Sequence, residues 1–209
     1  MLLCYITDRS QFDGSEAVRR RSLLAKITEA ARCGVHLIQL REKDLAGREL
    51  EALALESLRI IRAKAPGRRT RLLINSRTDV ALAVEADGVH LRSDDVPIET
   101  VRDIWGRSNP SGSAVISVSC HSPSEVADAA ARGADFAVFA PVFEKPGISL
   151  NLAGLEALRV ACHHRIAVLA LGGVTVENAH LGVEAGAAGI AGVRLFQQNA
   201  IADVVRKLR

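Results

Sequence analysis

Eight short aliphatic runs, each followed by a stretch with helical spacing, constrain this chain more than any other feature of its sequence. The runs are LLCYIT (2–7), VHLIQL (35–40), RLLIN (71–75), GVHL (88–91), AVISVSC (114–120), FAVFAPVF (136–143), IAVLALG (166–172) and GIAGVRLF (189–196). They are close to continuously apolar instead of alternating, which suits parallel strands covered on both faces. Segments with helical spacing lie between and after them, at 15–33, 46–65, 77–86, 97–107, 122–132, 152–163, 175–185 and 198–208. Helix starts are marked by Ser122 and Pro123 with Glu125, and by Thr175 with Glu177 and Asn178. Eight such units in 209 residues, joined by right-handed crossovers, predict an α/β fold of the (β/α)8 TIM-barrel type, a single domain over residues 1–209. An open doubly wound sheet is the alternative, but the segment after the first run, ITDRSQFDG, has no GxGxxG loop.

Several classes of function are excluded early. No apolar run approaches the ~20 residues of a membrane span, and the start MLLCYITDRS carries neither a basic leader nor a cleavage-like site. A cytoplasmic protein with no membrane partner is expected. Cys4, Cys33, Cys120 and Cys162 lie far apart, with no CxxC pair and no Cys/His spacing suited to zinc, and read as reduced thiols. A formal net charge of +3 is too small to imply nucleic acid. The basic runs Arg19, Arg20, Arg21 and Arg68, Arg69, Arg71 read as solvated helix ends.

In a parallel barrel the chemistry collects just after the strand ends. There LIQLREKDL (37–45) passes abruptly from a buried run to Gln39, Arg41, Glu42, Lys43 and Asp44. Other strand ends contribute Thr7, Asp8, Asn75, Ser76, Arg77, His90, Ser119, His121, Lys145, Gly172, Gly173 and Arg194. A rim lined with Arg and Lys, beside the Gly-rich turn ALGGVTVEN (170–178) entering a helix, predicts an anion site, because oriented N–H groups and guanidinium forks both favour phosphate. These residues predict a barrel that binds a phosphorylated small molecule, and they do not name a reaction.

Six motifs go further: QLREK (39–43), INSRTDVALAVEADGVHL (74–91), VSCHS (118–122), GADFAVFAPVF (133–143), ALGGV (170–174) and AGAAGIAGV (185–193). In this order, over nearly the whole chain, they resemble the thiamine phosphate synthase family and its thiazole tautomerase relatives of the TenI type. The resemblance implies a transferase of thiamine biosynthesis that joins an aminopyrimidine methyl pyrophosphate to a thiazole phosphate, releases pyrophosphate and uses Mg2+. It implies that Gln39, Arg41, Lys43 and Asn75 contact the pyrimidine pyrophosphate, with Arg41 a fork and Lys43 a point charge on the leaving group. Ser119 would stand near the reacting pyrimidine, and Gly172 or Gly173 with Val193 and Arg194 would hold the thiazole phosphate. Asp95 would be the metal ligand. His121 is a candidate acid/base, the role its counterpart has in the tautomerases. The implied partners are the two small phosphorylated substrates, with no nucleic acid, and the protein is expected as a monomer or homodimer.

Three departures from the family pattern qualify that reading. Asn75-Ser76-Arg77 stands where the synthases have N-D-R, whose Asp binds Mg2+, while RSDDVP (92–97) stands where they have a G-Q-E-D-type run. A weakened Mg2+ site, completed by substrate phosphates, is expected. FEKPGISLN (143–151) replaces a T-x-T-K phosphate loop, leaving Lys145 to supply the lost cation, and Arg194 replaces a Ser. Two alternatives therefore stand beside the synthase: a metal-independent tautomerase that aromatises a thiazole phosphate carboxylate, and a non-catalytic barrel that binds a phosphorylated ligand.

Overall fold

Continuous apolar runs form strands where helices cover one face and a closed barrel covers the other, and this chain meets both conditions. The computed structural model describes residues 1–64, 70–92, 94–108, 112–143 and 152–209. Within them β1 (Leu2–Ile6), β2 (Leu37–Leu40), β3 (Arg71–Asn75), β4 (Gly88–Leu91), β5 (Val115–Cys120), β6 (Phe136–Phe139), β7 (Ala167–Ala170) and β8 (Gly189–Gly192) form one closed parallel barrel in chain order. Between the strands run α1 (Glu16–Cys33), α2 (Gly47–Lys64), α3 (Thr78–Ala83), α4 (Ile98–Ser108), α5 (Pro123–Ala131), α6 (Leu152–Ala161) and α7 (Ala179–Glu184). A short α8 (Arg194–Gln197) precedes the closing α9 (Ile201–Leu208), and a 3-10 turn at Arg9–Gln11 precedes α1. The predicted (β/α)8 fold is the one observed.

Local chemistry explains the helices. In α2, Leu50, Leu53, Ala54, Leu58 and Ile61 recur at three and four residues and are all buried against the sheet. Each fully buried leucine contributes ~1.5–3 kcal/mol. The Ser122 hydroxyl accepts the Glu125 N–H at 3.2 Å and Pro123 opens α5, as the sequence predicts. α1 ends on Gly34, whose left-handed backbone (φ 75°) returns its N–H to the carbonyls of Ala30 and Ala31.

The strand pleat sorts side chains into two layers. Cys4, Ile6, Leu37, Leu73, Val138, Leu169 and Ala191 point inward and pack on one another. Leu3, Tyr5, Ile38, Leu40, Leu72 and Ile74 point outward into the core shared with the helices. Continued along the strands, the inward stride reaches Gln39, Asn75, His90, Ser117 and Ser119, so the interior becomes polar toward the carboxyl ends. The register puts Asn75 beside His90 and His90 beside Ser117.

Several predicted boundaries shift, the two strand ends because apolarity reports burial and not backbone angles; the helix expected from residue 198 begins at Ile201. The run 136–143 is strand only to Phe139; Val142 and Phe143 are buried in a turn, their N–H groups bonded to the carbonyls of Leu171 and Gly172. The run 189–196 leaves the sheet after Gly192 and coils into α8, with Leu195 and Phe196 still buried. The helix expected from residue 175 begins at Ala179, because Thr175 and Asn178 exchange bonds that close a turn in front of it: Thr175 N–H to Asn178 Oδ1 at 2.8 Å, and Asn178 N–H to Thr175 Oγ1 at 3.3 Å. All four cysteines are free. Among the described residues no helix is long and apolar enough to cross a membrane.

Candidate active site

The inward stride does not stop where the strands end. It continues from Ile6 to Asp8, from Gln39 to Arg41 and Lys43, from His90 to Arg92, from Ser119 to His121 and from Ala191 to Val193, and all of these line one cavity of about 880 Å3 at the carboxyl end of the barrel. Asn75, Gly172, Gly173 and Arg194 line it too.

The abrupt polarity of QLREKD follows from this alternation. Gln39, Arg41 and Lys43 face the cavity, while Glu42 and Asp44 turn to Arg9. The Glu42 side chain is 1% exposed; it accepts the Thr7 hydroxyl at 2.5 Å, the Arg9 N–H at 2.9 Å and Arg9 Nη1 at 3.1 Å. Arg9 also forks onto Asp44 at 2.7 and 2.9 Å and donates from Nε to Glu16 at 2.6 Å. The Thr7 oxygen in turn accepts the Arg41 N–H at 2.9 Å. Burial pushes the Glu42 carboxyl up, against the bonds from Thr7 and Arg9, whereas the Arg9 fork holds Asp44 below the usual carboxylate range. The loop carrying Arg41 and Lys43 is thus clamped to the loop after β1 by the buried Arg9–Glu42 pair and the more exposed Arg9–Asp44 fork.

The floor is a chain of amides, hydroxyls and an imidazole. Gln39 Nε2 donates to Asn75 Oδ1 at 2.9 Å, and Asn75 Nδ2 donates to Ser76 Oγ at 3.0 Å. Gln39 Oε1 is buried without a hydrogen-bond partner among the described residues, an arrangement native proteins rarely keep unless a ligand supplies the donor. His90 sits deeper than the rim position expected of it: it is buried, with Nδ1 3.1 Å from Ser117 Oγ and Nε2 2.8 Å from Ser119 Oγ. Burial pushes its pKa down to about 4, so the ring is neutral at pH 7. His121 Nδ1 lies 2.7 Å from the Ala140 carbonyl oxygen, which can only accept; Nδ1 is therefore the donor, and in the neutral ring the lone pair is on Nε2.

On another side of the mouth, Gly172 and Gly173 both have positive φ (94° and 63°), and a Cβ on Gly172 would lie 2.9 Å from Pro141 Cα. The N–H groups of Gly173 and Val174 have no acceptor among the described residues, and the Gly173 carbonyl is held by Asn178 Nδ2 at 3.0 Å. The helix dipole expected at this turn is displaced, since α7 starts only at Ala179; the N–H groups of Gly173 and Val174, with Arg194, remain as candidate anion donors.

Asp95 stands behind the wall, while Arg92 and Asp94 line the cavity. Its Oδ2 accepts the Arg92 N–H at 2.7 Å and its Oδ1 accepts Arg92 Nη2 at 3.2 Å, with the Ser76 hydroxyl near enough to favour its ionised form. Against burial, which raises it, these bonds hold the carboxyl below its ordinary range. No three His, Cys, Asp or Glu converge as metal ligands among the described residues. A guanidinium already held between the Asp95 and Asp94 carboxylates repels a divalent cation, so the groups around Asp95 do not fit a resident Mg2+. Lys145 and most of FEKPGISLN lie in 144–151, outside the described residues.

Several lining residues escape the sequence reading: Gln11, Arg92, Gln198 and Asn199. Arg92 was within reach, because it lies two positions beyond His90 on the inward stride. Gln198 and Asn199 join α8 to α9, where the sequence suggests the start of the last helix.

Comparison with known proteins agrees with this geometry. The thiamine monophosphate synthase profile matches residues 3–196. The chain is 35% identical over 211 residues to the thiamine-phosphate synthase of Syntrophomonas wolfei subsp. wolfei, covering 99% of this chain and 94% of that one. It is 37% identical over 177 residues to the thiamine-phosphate synthase of Halalkalibacterium halodurans, covering 83% and 80%. Among solved structures, thiamine phosphate pyrophosphorylase from Pyrococcus furiosus superposes with a TM-score of 0.80 at 29% identity, covering 100% of this chain and 93% of that one. A profile that runs from β1 to α8, joined to relatives of this identity and coverage, shows that the chain belongs to the thiamine monophosphate synthase family.

Proposed function

We propose that this chain is a thiamine-phosphate synthase, the activity named for its relatives. The observation that carries the reading is the presence of two separate anion-binding walls in one cavity, Arg41 and Lys43 on one side and Gly173 with Arg194 on another. One cavity so lined accommodates two phosphorylated substrates at once. In the reaction the C–O bond between the pyrimidine methylene and pyrophosphate breaks, its electron pair leaving on pyrophosphate, and the thiazole nitrogen lone pair forms the new C–N bond. The fork of Arg41 and the charge of Lys43 stabilise the departing anion. The unpartnered Gln39 Oε1 accepts from the exocyclic amine of the pyrimidine, with Asn75 holding the amide in that orientation. Ser119 bonds the pyrimidine near its reacting carbon. Gly172, Gly173, Val193 and Arg194 grip the thiazole phosphate.

Holding both substrates in contact converts a bimolecular step into an effectively unimolecular one. Members of this family generally depend on Mg2+. With Ser76 beside Asp95, the protein's own metal affinity is weak, and the ion is expected as a companion of pyrophosphate. The reading places the protein in the cytoplasm with its soluble substrates.

One observation favours a second reading. The bond from His121 Nδ1 to Ala140 leaves Nε2 as a base in the cavity, as a tautomerase acting on a thiazole phosphate carboxylate requires. Purified protein incubated with both synthase substrates, with and without Mg2+, decides between them. Chromatographic appearance of thiamine phosphate supports the synthase. Its absence, in protein that binds thiazole phosphate, overturns that reading and makes loss of tautomerase activity in His121→Gln the next measurement.

A further inference from the structure

Arg92 lines the same cavity as Arg41 and Lys43, and the synthase roles above leave it without a task. We propose that Arg92 is a built-in cation of the pyrophosphate site, supplying the charge that a protein-bound metal ion would bring; the inference rests on the synthase reading for the identity of the anion.

Three features support it. First, Arg92 is anchored: its N–H is bonded to Asp95 Oδ2 at 2.7 Å, its Nη2 lies 3.2 Å from Asp95 Oδ1, and the same nitrogen lies 3.4 Å from Asp94 Oδ2. An anchored guanidinium loses less freedom on binding a ligand than a free one. Second, Nε and Nη1 have no hydrogen-bond partner among the described residues, which leaves donors of the head group for phosphate oxygens in the fork geometry that suits them. Third, the group near Asp95 that helps hold it ionised is the Ser76 hydroxyl, where a carboxylate would be needed to draw in a divalent ion. Ser76 in place of an acid raises the local charge by one, and Arg92 in place of the family's glycine raises it by one more. Together they equal the charge of the divalent ion.

The inference predicts that pyrophosphate binds without metal. Titration calorimetry with inorganic pyrophosphate, in excess EDTA and again in Mg2+, is carried out on the wild-type protein, on Arg92→Gln and on the double variant Ser76→Asp, Arg92→Gly. The wild type is expected to keep its affinity in EDTA within about threefold, and Arg92→Gln to lose ~10-fold or more there, the scale of charge-assisted bonds to phosphate. The double variant is expected to bind weakly in EDTA and to recover affinity with Mg2+. The Arg92 side chain is more than half exposed, so both variants are expected to fold. Wild-type binding that collapses in EDTA, or Arg92→Gln binding pyrophosphate as the wild type does, overturns the proposal. If instead pyrophosphate binding behaves as expected but no variant makes thiamine phosphate, the synthase reading fails while the assignment of Arg92 stands.

Discussion

Glu42 is the residue whose removal tests most directly how this chain positions its rim. Its carboxylate is 1% exposed and accepts three hydrogen bonds, from the Thr7 hydroxyl, the Arg9 N–H and Arg9 Nη1. Glu42→Ala removes all three bonds. The Thr7 hydroxyl and the Arg9 amide then lie buried and unpaired, at a cost of ~1–3 kcal/mol each. The Arg9 guanidinium keeps Asp44 and Glu16, so its charge is not orphaned, and the total should approach but not exceed the ~3–5 kcal/mol of a broken buried ion pair. We expect about 4 kcal/mol for Glu42→Ala and about half of that for Glu42→Gln, which keeps an acceptor for Thr7. Urea denaturation, with the slope checked against the wild type, measures both. A functional effect should accompany it: Arg41 and Lys43 flank Glu42 and the Arg41 N–H bonds to Thr7, so the KM for the pyrophosphate substrate should rise more than kcat falls. A loss below ~1 kcal/mol for Glu42→Ala would refute the clamp, because no arrangement that leaves two buried donors unpaired is that cheap.

Other substitutions test other links. Arg41→Ala should remove ~1.5–3 kcal/mol of charged hydrogen bonding from the transition state, lowering kcat/KM by ~10–100-fold in steady-state assays; an unchanged value removes Arg41 from the leaving-group site. His90 has a folded pKa near 4 against 6.5 for the free group, so between those values the unfolded chain binds a proton that the native protein refuses. Its contribution is intact above pH 6.5 and falls by ~1.4 kcal/mol per pH unit down to about 4. The difference in unfolding free energy between wild type and His90→Gln should therefore shrink as pH falls from 7 to 4.5, and a constant difference contradicts the assignment. Gly172→Ala places a Cβ 2.9 Å from Pro141 Cα at φ 94°, which should cost ~1–2 kcal/mol from backbone strain alone and weaken thiazole phosphate binding; a variant of wild-type stability would show that the turn relaxes freely.

The sequence displays the barrel well and its chemistry unevenly, for one physical reason. Continuous apolarity marks elements buried on both faces, and all eight strands are found within the runs that show it. The same signal cannot separate a strand from a buried turn, which is why Pro141–Phe143 and Leu195–Phe196 are drawn into strands by composition alone. Gln39, Arg41, Lys43, Asn75, Ser119 and His121 are legible because a polar residue at the end of such a run has few places to go except the barrel mouth. The tasks of Glu42 and Arg92 are not legible in the same way. Glu42 is explained by Arg9, 33 residues earlier, and only the pairing of β1 with β2 brings the two together. Arg92 is explained by Asp95 on its own loop, a bond that depends on backbone geometry with no signature in composition.

The column of Ser117, His90 and Ser119 has a further consequence for the floor of the cavity. A neutral imidazole between two hydroxyls has a direction. With the proton on Nε2, the ring donates to the Ser119 oxygen and leaves that hydroxyl's own hydrogen to point at a ligand. With the proton on Nδ1, the ring accepts from Ser119, and only lone pairs are left facing the cavity. Moving one proton inside the barrel, with no change in charge and no movement of backbone, thus reverses what the floor offers. A substrate ring whose electron demand changes as its leaving group departs can be met by a donor before the step and an acceptor after it.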